Sequence, residues 1–519
     1  MKNCVRFILD GELVEIENLD PTRTVLQYLR EDLRRVGSKE GCAEGDCGAC
    51  TVVIGALVDD RIQFRSVNAC IQFLPTLDGK MLFTVESLKT RHGQLHPVQQ
   101  SLVDCHASQC GFCTPGFVMS MFALYKTNPN IDRLSIDDAL SGNLCRCTGY
   151  RPIIDACMKM TNYPVQDDSN PLLFESASNQ SSNSKTEISD QEQQAIHQLR
   201  QIKRSEVLTL KIGQRHYHAP NSVNELAQIY ADSPDSYILA GGTDVGLWVT
   251  KQLRQLDDII YLGHIKELNR IEQSSSFIKI GAAVSLTDSF DALSRHYPEL
   301  NQLFRRFSSV PVRNAGTLVG NVANGSPIGD SMPALICMGA RVALRQGQQS
   351  REMDLQDFYI DYQKNMLQAG EFIEAVLVPV KDKTWQLRSY KLCKRFDQDI
   401  SAVCAAFSIQ FEESPEHSQE QGKIVDIRIA FGGMAAIPKR ATQAEAMLKD
   451  QLWNEGSVHQ AMAALSQDFT PLSDMRASKN YRQQTAANLL YRFYLETRQN
   501  DALTNDQLDV FDDRAAVHG

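Results

Sequence analysis

The chain has 519 residues, of which 43% are hydrophobic and 22% are charged, a composition typical of soluble globular proteins. Its length predicts about three or four domains. The formal net charge of −10 argues against nucleic-acid binding, which uses a basic surface. No apolar run reaches the roughly 18 residues that cross a bilayer, and the N-terminus lacks a signal-peptide pattern. We therefore expect a cytoplasmic protein.

Residues 1–90 predict a small mixed sheet with one helix. The segments VRFIL and ELVEIE flank Asp10-Gly11, a strong hairpin signal. Asp20-Pro21 then offers a cap and a first turn for a helix whose apolar residues recur at helical spacing. TVVIGALV and RIQFRSV predict two more strands around Asp59-Asp60.

The cysteines are unevenly distributed, because 11 of the 14 lie before residue 160. Cytoplasmic thiols stay reduced, so clustered cysteines indicate metal ligands or catalytic groups rather than disulfides. Six cysteines lie outside the two clusters described below, and their default interpretation is small buried apolar residues. They are Cys4, Cys105, Cys157, Cys337, Cys393 and Cys404, of which Cys105 lies near the second cluster and is left unassigned.

The first cluster begins in the segment GCAEGDCGAC and has the ligand spacing C-x4-C-x2-C followed by a distant cysteine, as in plant-type [2Fe–2S] ferredoxins. Its members are Cys42, Cys47, Cys50 and Cys70. Gly45 and Gly48 can adopt positive φ and so let backbone amides point at the sulfurs. A four-cysteine zinc site is the alternative, and it is less favoured because zinc sites more often use two C-x2-C pairs.

Residues 91–165 predict helices. GFVMSMFALYKT (116–127) is apolar nearly all round and is expected to be buried. A second helix covers 135–142 with Ser135 as its cap, and a third opens at Pro152.

The second cluster lies at the starts of these helices, where partial positive charge suits a negatively charged group. Its cysteines fall in QCGFCTPGF and GNLCRCTGYRP, and they are Cys110, Cys113, Cys145 and Cys147. Their spacing alone leaves zinc and iron–sulfur both open.

The rest of the chain divides by composition. A polar, serine-rich stretch predicts a poorly ordered linker, and alternating apolar runs and glycine turns predict an α/β domain. A smaller α+β domain with helices at 441–449 and 480–497 follows, and then a mobile polar tail. The predicted ranges are 166–204 for the linker, 205–385 for the α/β domain, 386–505 for the α+β domain and 506–519 for the tail.

Both cysteine clusters resemble those of the molybdenum hydroxylases, the family of xanthine dehydrogenase and aldehyde oxidase. GCAEGDCGACTV is similar to the family's ferredoxin-like domain, and QCGFCTPGF with GNLCRCTGYRP is similar to its helical domain. The resemblance implies that each set of four cysteines holds one [2Fe–2S] cluster. It also implies a multidomain α+β fold: a β-grasp ferredoxin-like domain (1–90), a helical-bundle [2Fe–2S] domain (91–165), a non-Rossmann FAD-binding domain and a C-terminal flavoprotein domain.

Two glycine-rich strings, ILAGGTDVG and VRNAGTLVGNVANGSPIGD, lack the Rossmann pattern. Backbone N–H groups in such turns can bind phosphate, although a plain tight turn is the alternative for the first. Both strings resemble the FAD-binding domain of the same family. For the first string the resemblance implies FAD contacts at Ile238, Leu239, Ala240, Gly241, Gly242, Thr243, Asp244 and Val245.

For the second string and its surroundings, the resemblance implies further FAD contacts at Thr317, Gly320, Asn321, Ser326 and Asp330. More variable sequence adds Phe307, Ile373 and Lys391, for which the alternatives are a core phenylalanine, a core isoleucine and a surface lysine. Asn324 departs from the family, which often has threonine there.

The resemblance also implies a redox subunit with no substrate-oxidising residue of its own. We expect a molybdopterin-binding large subunit as its partner, in a heterotetramer of two small and two large chains. Electrons would pass from that partner through the two clusters to FAD and then to NAD+. The order of the parts favours the purine-oxidising members, which convert hypoxanthine to xanthine and urate.

Three alternatives stay open. The chain would serve another molybdenum hydroxylase that oxidises aldehydes or N-heterocycles, or it would be a self-sufficient NAD(P)H:acceptor iron–sulfur flavoprotein. The third is a zinc-dependent interaction protein with a degenerate flavin domain. Copurification with a molybdenum chain and the colour of the protein separate them, whereas oxygen as an acceptor in place of NAD+ is not excluded by the sequence.

Overall fold

The structure is a computed structural model that describes residues 3–89, 93–164, 171–177, 189–412 and 422–508. It divides into two compact units. The first unit comprises residues 1–270, 283–288 and 308–317, and the second comprises 271–282, 289–307 and 318–519.

The N-terminal sheet has five strands in the order β2-β1-β5-β3-β4. They are β1 (Cys4–Leu9), β2 (Glu12–Glu17), β3 (Thr51–Val58), β4 (Arg61–Asn68) and β5 (Met81–Phe83). β1 pairs antiparallel with β2 around Asp10 and Gly11, whose φ angles are 54° and 82°, so the predicted hairpin is confirmed. β3 and β4 pair in the same way around Asp59 and Asp60, as predicted.

The helix after β2 begins later than the sequence predicts. It covers Val25–Gln27 and continues as a wider π-helical turn over Tyr28–Asp32. Thr24 is the N-cap: its hydroxyl accepts the Gln27 N–H at 3.1 Å, and the Gln27 side chain accepts the Thr24 N–H at 3.0 Å. The predicted cap at Asp20-Pro21 is therefore wrong, because this reciprocal capping box satisfies two helix-end donors at once.

Four helices follow the first sheet: Pro97–Asp104, Thr114–Thr127, Arg133–Leu140 and Arg151–Lys159. The second is buried from Gly116 to Lys126, which confirms the prediction for this segment. The predicted cap Ser135 is wrong. Asp132 is the N-cap and accepts the Ser135 N–H at 2.8 Å, so Ser135 takes the third helical position of the capping box.

Part of the predicted linker is folded. Pro171–Phe174 and Asp190–Ile202 are helices, whereas 165–170 and 178–188 lie outside the described residues. The second helix buries Ala195, Ile196, Leu199 and Ile202 in the same core as the helices above. The polar composition conceals an amphipathic stripe, and that stripe determines the structure.

The first unit also contains a four-stranded sheet in the order β6-β7-β9-β8. Its strands are β6 (Leu208–Ile212), β7 (Arg215–Ala219), β8 (Tyr237–Leu239) and β9 (Asp258–Tyr261), and its helices are Val223–Asp232, Val245–Thr250 and Val310–Ala315. β8 and β9 pair in parallel, so the turn after β8 leaves the carboxyl edge of this sheet.

The second unit contains an antiparallel five-stranded sheet in the order β10-β11-β16-β12-β13. The strands are β10 (Ile271–Gln273), β11 (Phe277–Gly281), β12 (Arg341–Gln346), β13 (Gln349–Asp354) and β16 (Phe372–Pro379), with a hairpin of β14 (Tyr359–Asp361) and β15 (Lys364–Asn365). Helices Asn301–Arg305, Leu318–Asn324 and Ser331–Met338 belong to this unit, and Leu286–Ser294 crosses the boundary in sequence.

The C-terminal sheet, also in the second unit, has the order β17-β18-β19-β20. Its strands are β17 (Trp385–Leu392), β18 (Val403–Phe411), β19 (Ile424–Gly432) and β20 (Lys439–Arg440), followed by helices Thr442–Leu448, Glu455–Asp468, Lys479–Thr497 and Asn505–Leu508. The first and third of these helices were predicted, and the second was not.

Two sequence-based expectations remain, one for the C-terminal tail and one for membrane-spanning helices. The predicted tail lies outside the described residues from 509 onward. In the described part of the chain, no helix combines the length and apolarity that spanning a bilayer requires.

Candidate iron–sulfur and flavin sites

Four thiols of the first unit converge around the loop before β3: Cys42, Cys47, Cys50 and Cys70. The sulfur of Cys42 accepts the N–H groups of Asp46 and Cys47 at 3.4 and 3.3 Å. Gly45 and Gly48 have φ angles of 78° and 70°, so the predicted positive φ is confirmed. The loop therefore turns its amides toward the sulfurs, an arrangement that stabilises thiolate ligands.

The ionisation of these thiols shows that they act as one set. Hydrogen bonds from the thiols of Cys47 and Cys70 lower the pKa of Cys42, and the contact with Cys42 raises the pKa of Cys47. Contacts with Cys42 and then Cys50 raise the pKa of Cys70. Four thiols gathered in one region are the donor set that a [2Fe–2S] cluster uses, so the chemistry of these residues fits such a cluster.

The second set of thiols, Cys110, Cys113, Cys145 and Cys147, also converges. The sulfurs of Cys110 and Cys147 lie 3.5 Å apart. Burial, together with contact with Cys145, raises the pKa of Cys113 to about 12. Cys113 is the N-cap of the helix Thr114–Thr127, as the sequence predicts.

The two sets differ in exposure. Cys50 and Cys70 are 1% and 3% exposed, whereas Cys110 and Cys147 are exposed. Around the second set lie three exposed apolar side chains, Phe112, Leu144 and Tyr150. The other two cysteines of each set, Cys42 and Cys47 in the first and Cys113 and Cys145 in the second, are half-buried. The second set is therefore the more accessible of the two.

Tyr150 and Asn143 support these sites and were not predicted from the sequence. Tyr150 has a positive φ of 69°, rare for an aromatic residue, and its hydroxyl accepts the Cys145 N–H at 3.0 Å. Asn143 is buried, donates to the Gly48 carbonyl at 3.1 Å and accepts the Ser120 hydroxyl at 2.6 Å.

A backbone hydrogen bond also joins the two centres. The N–H of Leu144, the residue before Cys145, donates to the carbonyl of Cys47 at 3.0 Å. A cysteine of the first set is thus hydrogen-bonded to the residue that precedes a cysteine of the second set.

The glycine turn of the first unit follows β8. Ile238 and Leu239 end the strand, Ala240 to Asp244 form the turn, and Val245 begins the next helix. A β-carbon at Gly241 would overlap the carbonyl oxygen of Ala315, so only glycine fits there. Among the described residues, no N–H group from Gly241 to Asp244 donates a hydrogen bond within the chain. Free N–H groups in a tight turn fit a phosphate ligand.

Two more of the predicted FAD contacts, Asp244 and Thr317, lie in the first unit. Asp244 is exposed, yet partial desolvation by its surroundings raises the pKa of its carboxyl group. Thr317 is buried and forms an isolated β-bridge with Ser285.

In the second unit, Asp330 and Lys391 come together although 61 residues separate them in the sequence. The Lys391 ammonium lies 2.8 Å from the Asp330 carboxylate, which also accepts the Ser401 hydroxyl at 2.6 Å. The ammonium donates to the Arg306 carbonyl at 2.9 Å. Lys391 is buried, so the alternative of a surface lysine is wrong.

The other residues predicted in the second unit take separate places. Phe307 packs its ring edge-on to Phe290 with centroids 5.2 Å apart. Gly320 and Asn321 lie in the helix Leu318–Asn324, where the Asn321 side chain accepts the Ser331 hydroxyl at 2.6 Å. Two more complete the set: Ser326 in the following turn and Ile373 buried in β16.

Four family models match the chain in succession. Residues 7–74 match the 2Fe-2S iron-sulfur cluster binding domain, and residues 84–158 match the [2Fe-2S] binding domain. Residues 210–381 match the FAD binding domain in molybdopterin dehydrogenase, and residues 388–497 match the CO dehydrogenase flavoprotein C-terminal domain.

The chain belongs to the molybdenum hydroxylase family. The two iron–sulfur domains and the multidomain α+β fold are thereby confirmed, and the zinc alternatives are set aside. This chain is an electron-transfer module of that family, with two [2Fe–2S] domains and an FAD-binding domain.

Known proteins similar to this molybdenum hydroxylase chain include xanthine dehydrogenases. The protein of Emericella nidulans is 30% identical over 96% of this chain and 39% of its own length. The protein of Drosophila pseudoobscura pseudoobscura is 31% identical over 94% and 39%. The chain therefore spans about two-fifths of these relatives. Among solved structures, a carbon monoxide dehydrogenase from Hydrogenophaga pseudoflava has a TM-score of 0.50 at 24% identity over 56% of this chain and 98% of its own, a likeness of fold alone.

The cysteines outside the two clusters mostly have the expected environment. Cys4, Cys157, Cys337 and Cys404 are buried. Cys105 and Cys393 are only partly buried, and the Arg306 guanidinium donates to the Cys393 sulfur at 3.0 Å. The expectation of a small buried apolar residue is therefore wrong for Cys393, whereas Cys105 was left unassigned.

Proposed function

We propose that this chain is the electron-transfer subunit of a xanthine dehydrogenase and works with a molybdopterin-binding large subunit. Purine hydroxylation, from hypoxanthine to xanthine to urate, would take place on that partner. When bound, the two iron–sulfur clusters carry single electrons, and FAD collects two of them and passes hydride to NAD+. The relatives named xanthine dehydrogenase support the choice of substrate, because this chain aligns with them over nearly its whole length.

The observation that carries the proposal is the difference in exposure between two joined centres. Electrons would enter at the exposed centre, whose ligands are Cys110, Cys113, Cys145 and Cys147. They would continue to the buried centre, whose ligands are Cys42, Cys47, Cys50 and Cys70. The hydrogen bond from Leu144 to Cys47 supports this order, because it links the two ligand loops directly.

The chain's own residues would hold FAD in two ways. The turn from Ile238 to Val245 would bind phosphate through its N–H groups, and Thr317 of the second string would add a further contact. The buried pair of Asp330 and Lys391 would place fixed charges near the cofactor. The remaining proposed contacts are Phe307, Gly320, Asn321, Ser326 and Ile373.

The proposed complex is a cytoplasmic heterotetramer of two small and two large chains. Purification of the native complex tests this proposal through metal and flavin analysis and identification of copurified chains. We expect a molybdenum-bearing partner, iron and FAD, and reduction of NAD+ by xanthine in preference to aldehydes. A complex that oxidises only aldehydes, or a chain that is fully active without molybdenum, would contradict it.

A matched pair of variants locates the entry point of the electrons. Cys147→Ser should abolish reduction of NAD+ by xanthine but leave NADH-driven dye reduction at the flavin intact. Cys105→Ser is the control, because Cys105 lies close in sequence but outside the proposed ligand set. Equal xanthine activity in both variants would exclude the second centre from the electron path.

A further inference from the structure

Two glycines allow close backbone contacts on either side of the first four-cysteine centre. The first is Gly116, in the first turn of the helix Thr114–Thr127. A β-carbon at this position would overlap the carbonyl oxygen of Gly48 and lie 3.0 Å from its carbonyl carbon. These are backbone atoms of the loop between the ligands Cys47 and Cys50, so no side-chain rotation could relieve the overlap.

The second glycine is Gly246, in the helix Val245–Thr250. This helix follows the glycine turn after β8, which is the proposed dinucleotide turn. A β-carbon there would lie 2.7 Å from the carbonyl oxygen and 2.9 Å from the β-carbon of Ile71. Ile71 directly follows the ligand Cys70. The same helix has a second attachment to the first centre, since the Thr250 hydroxyl donates to the Ala43 carbonyl at 2.7 Å.

Backbone conformation does not require glycine at either position. Neither Gly116 nor Gly246 is among the glycines with positive φ, unlike Gly45, Gly48 and Gly242. Glycine inside a helix is destabilising relative to alanine. Close approach is therefore the structural reason for glycine at both places, and in both it brings a ligand loop of the first centre against the next element of the proposed electron path.

We propose that Gly116 and Gly246 are positioning residues for electron transfer. Gly116 sets the spacing between the second centre and the first, and Gly246 sets the spacing between the first centre and the dinucleotide turn. This inference rests on the proposed function. Each step moves one electron from one centre to the next without forming a bond between them, and a flavin that has given up both electrons also releases its N5 proton to solvent. The rate of each step depends on the gap that the electron crosses. The probability of electron tunnelling falls exponentially with that gap, so widening either contact slows the step that crosses it.

The test follows electrons from the flavin outward in Gly116→Ala and Gly246→Ala. The flavin is reduced with NADH or, independently of nicotinamide, with light and EDTA, and rapid-freeze EPR follows the arrival of electrons at each centre. In Gly246→Ala, flavin reduction should be normal and both centres should be reduced several-fold more slowly than in the wild type. In Gly116→Ala, only the second centre should lag.

Gly55→Ala is the matched control, because a β-carbon at Gly55 in β3 meets side chains alone, the nearest at 3.1 Å. It should leave both steps unchanged. Iron and FAD contents and the midpoint potential of each centre should stay at wild-type values in all three variants, because a change of spacing alters rates and not potentials. Wild-type transfer rates in folded Gly116→Ala and Gly246→Ala would overturn the inference.

A gentler variant covers the case in which Gly246→Ala loses its cofactors. Thr250→Val removes the hydrogen bond to Ala43 without introducing an overlap. It should slow the same flavin-to-first-centre step about two- to fivefold, the factor that corresponds to a hydrogen bond worth about 0.5–1 kcal/mol. A wild-type rate in Thr250→Val would overturn the role of this junction. Failure of the wild-type protein to pass any electron from flavin to cluster would instead refute the proposed function.

Discussion

The first four-cysteine centre is built into a sheet domain and the second onto the ends of helices. Cys50 and Cys70 belong to a hydrophobic core shared with residues of β1, β3 and β4, whereas Cys110 and Cys147 are exposed among Phe112, Leu144 and Tyr150. Two centres built from the same four-cysteine set can thus have different roles, because the surrounding residues determine how accessible each centre is to solvent or to a partner. The exposed centre is suited to exchange electrons with a partner, and the buried centre is suited to conduct them.

The largest expected effect is the loss of one centre. Cys70→Ser and Cys147→Ser should each lower iron from about four to about two atoms per chain, since each cluster contains two irons. EPR should show which centre disappears. Cys70→Ser should also lower the thermal midpoint, because it places a hydroxyl in a core position. Full iron content in either variant would remove that cysteine from the ligand set.

The exposure of the cysteines predicts which centre is lost first when a chelator and an oxidant are added. With a chelator and mild oxidant, the second centre should disappear faster than the first, by a factor on the order of ten, since susceptibility of sulfur follows accessibility. EPR-monitored decay of the two signals measures the ratio. Decay of both centres at one rate would mean that burial at Cys50 and Cys70 gives no protection.

Asn143 tests how firmly the two regions are joined. Asn143→Ala leaves the Gly48 carbonyl and the Ser120 hydroxyl without this buried partner, which should lower the free energy of unfolding by about 2–3 kcal/mol. The exposed Asn162 provides the control. Asn162→Ala should change the free energy of unfolding by less than about 0.5 kcal/mol. Equal stability of the two variants, measured by denaturant unfolding, would mean that the join does not depend on Asn143.

The smallest expected effect is a difference in acid sensitivity. Residues 1–89 contain no histidine, whereas the helical region buries His96, whose pKa burial lowers to about 3. The unfolded state then binds a proton that the folded state excludes, so stability is complete above about pH 6.5 and falls as the pH drops toward 3. Between pH 7.5 and 5.5 the loss should be about 1.4 kcal/mol.

His96→Gln isolates this contribution, because it removes the titrating group from the same site. The difference in unfolding free energy between wild type and variant should change by that amount across the two pH values. A constant difference would show that His96 does not titrate on unfolding.

The sequence predicted what depends on local chemistry. Hairpin turns at Asp10-Gly11 and the left-handed glycines at 45 and 48 follow from backbone preferences, and the structure confirms them. The cysteine strings led to the correct family. Each set of thiols does converge, although their role as ligands stays a prediction.

What the sequence missed depends on partners distant in the chain. The pairing of Lys391 with Asp330, and the hydrogen bonds of Asn143, require the tertiary fold before they can be recognised. The helix Asp190–Ile202 was taken for linker because its apolar positions are sparse and gain meaning only against the core that they complete.

That helix has a consequence for dividing the protein into pieces. A fragment ending near residue 165 would lack the face of Ala195, Ile196 and Leu199 and would present the vacated apolar groove to solvent. It would also lack Arg204, whose guanidinium lies 2.6 Å from the buried Asp78 carboxylate, and an orphaned buried charge costs about 3–5 kcal/mol. An autonomous iron–sulfur piece must therefore extend beyond Arg204, and truncation at the apparent spacer would yield an aggregating product.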